Sequence, residues 1–250
     1  MNNKVLVTGS SRGIGRAIGE FFSKNDWDVC FTSRNINDLE EFKHNFAEKE
    51  NIFYEIDFQN AEGIKKLKNC IETKWGSLDS LVINVGNGSG QKSIYSSYSN
   101  NLDIFKLNFY SAYLSTTLLI PLLVKSTNPS LIFIGSIASC ENVNSPFNYA
   151  MAKRSLENLS NFLSKSLAKN KVRVNCIHLG HVLTENGFWD RKKKHDYDSY
   201  QEIISSKTLT NKIVYPSEVA EFIYDLTNSK YSSNLTGNTF IFDGGTTRIK

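Results

Sequence analysis

Tyr149-Ala150-Met151-Ala152-Lys153 sets a phenol and an ammonium four positions apart, which is one face of a helix if the segment is helical. A free tyrosine has a pKa of ~10 and is a poor base at neutral pH. A neighbouring ammonium, together with the positive ring of an oxidised nicotinamide, would stabilise phenolate and lower that value. Tyr149 could then give a proton to a developing alkoxide, or take one from an alcohol, while hydride moves. The same pair alone also fits a solvated helix face. Near the start of the chain, Thr8-Gly9-Ser10-Ser11-Arg12-Gly13-Ile14-Gly15 joins an apolar run to an amphipathic one. Gly9 can take a φ > 0 turn, Gly13 admits a ligand close to the backbone, and Gly15 permits tight helix packing. A helix starting there aims free N–H groups and its positive dipole end at a pyrophosphate. A dinucleotide is the expected ligand.

An acidic residue about 20 positions beyond such glycines holds the ribose 2′-hydroxyl of NAD. Here the second strand-like run ends Phe31-Thr32-Ser33-Arg34. A carboxylate would repel a 2′-phosphate, whereas a guanidinium can bind it bidentately. NADP(H) is therefore favoured over NAD(H), with an ordinary surface arginine as the competing account of Arg34.

The elements that must position these groups alternate along the whole chain. Val5–Thr8, Asp28–Ser33, Asn51–Asp57, Ser80–Asn84, Leu131–Gly135, Arg173–His178 and Thr239–Phe242 read as strands. Most are continuous apolar runs, as parallel strands covered on both faces require. Ile14–Lys24, Asn37–Glu48, Ala61–Trp75, Leu102–Lys125, Tyr149–Lys169 and Ser217–Thr227 carry apolar residues at helical spacing. The alternation predicts an α/β fold: a Rossmann-like, doubly wound parallel sheet of about seven strands with helices on both faces. No linker or repeat divides the chain, so residues 1–250 read as a single domain. The polar stretch Thr184–Ile213 breaks the rhythm and is expected to be a substrate lid or a variable surface segment.

The spacing T-G-x-x-x-G-x-G, followed far downstream by Y-x-x-x-K, resembles the short-chain dehydrogenase/reductase family. The resemblance covers the whole chain. It implies a tyrosine-dependent oxidoreductase that interconverts a carbonyl and a secondary alcohol. It further implies that Ser136, thirteen positions before Tyr149, donates to the substrate oxygen as charge develops there. Asn108, in Lys106-Leu107-Asn108-Phe109, would hold a water linking the lysine to solvent; an asparagine in an apolar mid-helix stretch is otherwise poorly explained. Asn108, Ser136, Tyr149 and Lys153 form the implied catalytic group. The implied cofactor contacts are Gly9, Ser11, Arg12, Gly13, Ile14, Gly15, Ser33, Arg34, Asp57, Phe58, Asn84, Gly86, Tyr149, Lys153, Val182 and Thr184. Among these, Arg12 would join Arg34 at the 2′-phosphate, Asp57 would meet the adenine amino group, and Thr184 the nicotinamide carboxamide. A strand-end aspartate such as Asp57 also commonly caps a helix. Two loops depart from the family pattern. Ile83 and Val85 alter the usual N-N-A-G, leaving Asn84 and Gly86, and Leu179-Gly180 stands where P-G is usual, losing the proline's rigidity. Family members assemble as homotetramers or homodimers through their fourth and fifth helices. Leu118–Val124 and Leu156–Leu167 are apolar enough for that or for ordinary core.

Composition narrows the remaining classes. The 250 residues carry 29 Lys+Arg against 25 Asp+Glu, a net +4, too small and too dispersed for a nucleic-acid protein. Cys30, Cys70, Cys140 and Cys176 form no C-x-x-C pair, so neither a zinc site nor a disulfide scaffold is expected. His178 and His181 have no third ligand nearby in sequence, and no metal is expected. The apolar stretch Leu114–Val124 falls short of the ~20 residues of a membrane span. The first strand begins almost at once, leaving no room for a signal peptide, so a cytoplasmic protein is expected. Substrate identity should reside in 87–98, 140–148 and 184–213. The polar Asn87–Ser93 run leans towards a polar or sugar-like metabolite. A 3-oxoacyl-[acyl-carrier-protein] reductase is the competing enzyme, and an NADP(H)-sensing scaffold of the same fold the non-enzymatic alternative. Arg191-Lys192-Lys193-Lys194 could attract an anionic partner or simply be a solvated face.

Overall fold

The computed structural model describes residues 2–47, 49–90, 95, 97–228 and 230–248. Residues 91–94 and Ser96, in the expected substrate segment 87–98, and Glu48, the end of an expected helix, lie outside the described residues. The strands are β1 (Lys4–Val7), β2 (Asp28–Ser33), β3 (Ile52–Glu55), β4 (Ser80–Ile83), β5 (Ser130–Ser136), β6 (Arg173–Leu179) and β7 (Thr239–Phe242). They form one sheet in the order β3-β2-β1-β4-β5-β6-β7, and every pairing is parallel. The helices are α1 (Gly13–Lys24), α2 (Glu40–Asn45), α3 (Ala61–Trp75), α4 (Tyr98–Phe105), α5 (Ser111–Leu123), α6 (Phe147–Ser166), α7 (Phe188–His195), α8 (Tyr197–Lys207) and α9 (Pro216–Asn228).

Strand residues alternate between two apolar layers, which is why the strands look uniformly hydrophobic in sequence. Leu6, Leu81, Leu131, Phe133 and Val174 pack with Ile64, Leu67, Leu119, Leu122 and Leu156 from α3, α5 and α6. Val5, Val7, Phe31, Ile132 and Ile177 point the other way, onto Ile18, Phe22, Val219 and Ile223 from α1 and α9. Leu119, Leu122, Leu123 and Leu156 belong to the first core, whereas Tyr110, Tyr113, Met151 and Phe162 are exposed. Strand order reverses between β1 and β4, and ligands in open parallel sheets bind beyond the carboxyl ends of the strands at such a point.

Three expected elements differ. Leu102–Lys125 is not one straight helix: α4 and α5 are joined by a π turn at Lys106–Tyr110, centred on Asn108. Asn37–Glu48 becomes a 3₁₀ turn at Ile36–Leu39 followed by the short α2. Thr184–Ile213 holds two helices, α7 and α8, that bury Tyr200, Ile204 and Ile213 against Leu183 and Trp189. Three residues of its basic run have local partners: Lys192 pairs with Asp196 at 3.2 Å, Lys194 with Asp190 at 2.8 Å, and Arg191 donates to the Asn186 carbonyl at 2.7 Å. Among the described residues, no helix is long and apolar enough to cross a membrane.

Candidate active site

The glycine turn is clamped from both sides of the strand reversal. From β2, Thr32 Oγ1 accepts the Gly9 N–H at 2.9 Å and donates to the Val7 carbonyl at 2.8 Å, while the Thr32 N–H donates to Ser10 Oγ at 2.8 Å. From the end of β4, Asn84 Nδ2 donates to the Thr8 and Gly9 carbonyls at 3.1 and 3.0 Å. The Asn84 and Val85 N–H groups donate to Thr8 Oγ1 at 2.8 and 3.1 Å. Asn84 supplies the side-chain cross-link to the turn, and Ile83 is a buried strand residue. Gly9 and Gly13 have φ of +66° and +58°, a region side chains avoid. A Cβ on Gly15 would lie 2.2 Å from the Gly9 carbonyl oxygen. Gly15 thus packs on the turn itself, and the close approach to the sheet falls to Gly19, whose Cβ would lie 2.5 Å from the Phe31 ring. The α1 N-terminus has no side-chain cap and no acidic residue in its first turn, so its N–H groups and dipole face an incoming anion.

Around this turn the remaining expected cofactor residues are placed as follows. Ser11 and Ile14 are half-buried at the α1 entrance, and Ile14 packs on the second core. Thr184 lies against Gly13, its Cγ2 3.5 Å from where a Cβ there would stand. Val182 bridges Val214. Arg12 and Arg34 are exposed, and no ion pair or hydrogen bond of either guanidinium occurs among the described residues. Ser33, buried at the end of β2, donates to Asp38 Oδ2 at 2.8 Å. Asp57 does not cap α3; its Oδ1 accepts the Gln59 N–H at 2.9 Å, and Asn60 takes the cap by accepting from Glu62 and Gly63. Phe58 is core. Leu179 completes β6 opposite Phe242, so pairing fixes the backbone that a proline would otherwise stiffen.

The four expected catalytic residues come from three separate elements. β5 ends at Ser136, whose Oγ accepts the Ala138 N–H at 3.2 Å and which stands close enough to Tyr149 to favour its phenolate. One turn further along α6, Lys153 is 4% exposed. Its Nζ lies 5.9 Å from the Tyr149 ring centroid and donates to the Ile134 carbonyl at 2.8 Å. Asn108 is fully buried; its Oδ1 accepts the Asn87 N–H at 3.0 Å and its Nδ2 donates to the Ile104 carbonyl at 3.1 Å. This side chain therefore ties the π turn to the loop that follows β4 through backbone groups of both. A Cβ on Gly86 would lie 2.6 Å from Asn108 Oδ1 and 3.3 Å from Lys153 Nζ, so the absent side chain is what lets loop, asparagine and ammonium meet.

Burial sets the charge states. It pushes the Lys153 ammonium down to about 8. It pushes the Tyr149 phenol up, and the nearby Ser136 offsets this only in part. The lowered phenol expected from the Tyr-Lys spacing is thus corrected for the protein alone: desolvation of a buried phenolate outweighs an ammonium nearly 6 Å from the ring centroid. The phenol is held as an acid.

Sequence reasoning missed Asn148, which is 1% exposed. Its Nδ2 donates to Asn101 and Asn100 Oδ1 on α4 at 3.0 and 3.3 Å, and its Oδ1 accepts the Tyr149 N–H at 2.9 Å. A polar residue buried directly before Tyr149 was the available signal. His178, expected at the end of the sixth strand, is fully buried in β6, 2.9 Å from Cys140 Sγ, and pushed down to about 4 by desolvation. All four cysteines are free, and among the described residues no cluster could hold a metal.

The family model described as enoyl-(acyl carrier protein) reductase matches residues 9–247. The chain belongs to the short-chain dehydrogenase/reductase family. Members of that family are oxidoreductases of carbonyl and alcohol groups, and so is this chain. It is 25% identical over 251 residues to a 7α-hydroxysteroid dehydrogenase of Paraclostridium sordellii, covering 98% of this chain and 92% of the relative. A 3-oxoacyl-[acyl-carrier-protein] reductase of Chlamydia pneumoniae is 28% identical over 253 residues, with 99% and 98% covered. Among solved structures, ElxO with NADP bound superimposes with a TM-score of 0.89 at 26% identity, covering 98% of each chain.

Proposed function

We propose that this short-chain dehydrogenase/reductase is NADP(H)-dependent and interconverts a polar carbonyl compound and its secondary alcohol. The observation that carries the reading is the buried Lys153 ammonium, 5.9 Å from the Tyr149 ring centroid, with Ser136 near the phenol at the end of β5. The residues present fit the cofactor: an uncapped helix N-terminus behind two positive-φ glycines for the pyrophosphate, and two unpaired guanidiniums, Arg12 and Arg34, for a 2′-phosphate. When bound, NADP(H) supplies or accepts the hydride. Asp57 would meet the adenine, and Gly86, Val182 and Thr184 the nicotinamide end.

The chain's own groups handle the proton. Ser136 and Tyr149 hydrogen-bond the substrate oxygen, stabilising the charge that grows on it during reduction. Tyr149, held protonated by burial, passes its proton to that oxygen. The Lys153 ammonium stabilises the phenolate left behind and returns a proton to it. Asn108 keeps Lys153 and the loop at Asn87 in register, so that the lysine can be reprotonated from solvent. In the oxidative direction the same groups run in reverse.

A cavity of about 450 Å³ follows the segment between Ser136 and Tyr149 and is lined by Ser139, Glu141, Asn142, Asn144, Ser145 and Phe147. Its hydroxyl, amide and carboxylate groups, interleaved with Ala138, Phe147 and Ala150, can hydrogen-bond a hydroxylated substrate, and the helical segment Thr184–Ile213 would close over it. The exposed Tyr110, Tyr113 and Phe162 support self-association through the face around α5 and α6. In the test, Tyr149→Phe lowers turnover about 10³-fold and leaves NADPH affinity within about twofold. The substrate panel sets keto-sugars beside a 3-oxoacyl thioester. Turnover by the phenylalanine variant at a tenth of the wild-type rate or more overturns the mechanism, and preference for the thioester overturns the substrate class.

A further inference from the structure

Resting on the NADP(H) reading, we propose that Asp38 is a specificity-determining residue. Its carboxylate competes with the 2′-phosphate for the Ser33 hydroxyl and limits the preference for NADP(H) over NAD(H).

Ser33 is the last residue of β2, 6% exposed, in the place where the ribose is expected. Its hydroxyl has one proton to give, and that proton is directed at Asp38 Oδ2, 2.8 Å away. The lone-pair side of the same oxygen accepts the Asn35 N–H at 3.2 Å. The arrangement is built by the 3₁₀ turn Ile36–Leu39, in which the Asp38 N–H donates to the Asn35 carbonyl and the side chain folds back over the strand end. A phosphate oxygen only accepts hydrogen bonds. While Asp38 holds the serine proton, the phosphate meets an oxygen with nothing to donate.

Charge acts in the same direction. Among the described residues Asp38 has no cationic partner. Glu55, opposite Ser33 in the β2–β3 register, is a second carboxylate at this end of the sheet, although its Oε2 is occupied by the Ile36 N–H at 2.9 Å. Arg12 and Arg34 therefore do not face a neutral surface; they work against two carboxylates. A phosphate bonded to Ser33 would sit two hydrogen-bond lengths from Asp38, about 5–6 Å. In water, repulsion at that distance weakens binding about threefold per unit of phosphate charge, or about tenfold for a dianion. A ribose 2′-hydroxyl carries no charge and can donate as well as accept, so NADH escapes both effects.

The experiment titrates NADPH and NADH separately, by cofactor fluorescence, into wild-type protein, Asp38→Asn, Ser33→Ala and the Arg12→Ala/Arg34→Ala double variant. Asp38→Asn tightens NADPH about tenfold and leaves NADH within about twofold. The gain shrinks as salt rises from about 0.05 to 0.5 M, because the repulsion is screened. Ser33→Ala shows no such gain, since the charge remains. An unchanged NADPH-to-NADH ratio in Asp38→Asn overturns the inference. So does an equal loss of both cofactors, which marks Asp38 as a support of the turn, or a selective loss of NADH, which marks it as a ribose ligand. The double arginine variant tests the underlying reading independently. If it leaves wild-type NADPH affinity intact, the cofactor assignment fails, whatever Asp38→Asn does.

Discussion

Replacing Lys153 with methionine isolates the cost of keeping an ammonium inside the protein. Lys153 is 4% exposed, and among the described residues its one acceptor at hydrogen-bond distance is the Ile134 carbonyl at 2.8 Å. Burial lowers it from 10.5 in the unfolded chain to about 8 in the folded one. Between those two values the unfolded state holds a proton that the folded state has released, so wild-type stability rises with pH across that window. Below it, the full penalty of the buried charge is present. At about 1.4 kcal/mol per pH unit, the gap amounts to roughly 3 kcal/mol. Methionine fills similar space and does not titrate, and losing the bond to Ile134 shifts its stability by the same amount at every pH. Urea denaturation of both proteins at several points from pH 7 to 10.5 therefore gives a difference curve. The wild type should gain roughly 3 kcal/mol on Lys153→Met across the range. Parallel curves would refute a desolvated lysine, and with it the explanation of how proton return to Tyr149 is tuned.

His178, fully buried and lowered to about 4, gives the same sign in acid. Below pH 6.5 the unfolded chain takes up a proton that the folded chain refuses, so roughly 3 kcal/mol of stability is lost between pH 6.5 and 4. His178→Gln should flatten that fall in denaturation curves at pH 7 and pH 4. Gly86→Ala introduces a Cβ 2.6 Å from Asn108 Oδ1 at a φ of +154°. It should cost on the order of 1–3 kcal/mol of stability and lower kcat at least about tenfold, because Asn108 and Lys153 both shift. A variant with wild-type melting temperature and kcat would show that the loop has room to spare.

Much of the fold was legible because parallel strands buried on both faces must be continuously apolar and their crossover helices amphipathic. β2, β4 and β6, buried along their whole length, carry that signal directly. The glycine turn was legible for a similar reason: positive φ and close approach admit few residue types. The break at Lys106–Tyr110 was not legible. Hydrophobic periodicity runs straight through it, and only the Asn108 side chain, bonded to Asn87 and Ile104, accounts for a π turn there. The two helices within Thr184–Ile213 were hidden by polarity, since their small core needs Tyr200, Ile204 and Ile213 together with residues outside the helices.

By itself the sequence determined which chemistries were available: a phenol and an ammonium on one helix face, a phosphate-binding turn, and an uncharged Ser33 followed by Arg34 where an NAD-binding acid would stand. Only the tertiary structure decided their charge states and competitors. Desolvation depends on what closes over a group, and that comes from distant segments: Ile134 and Gly86 around Lys153, Ser136 against Tyr149. Spacing could suggest that lysine acts on tyrosine. It could not reveal that burial would move both groups away from their charged forms, nor that Asp38 would fold back to take the Ser33 proton.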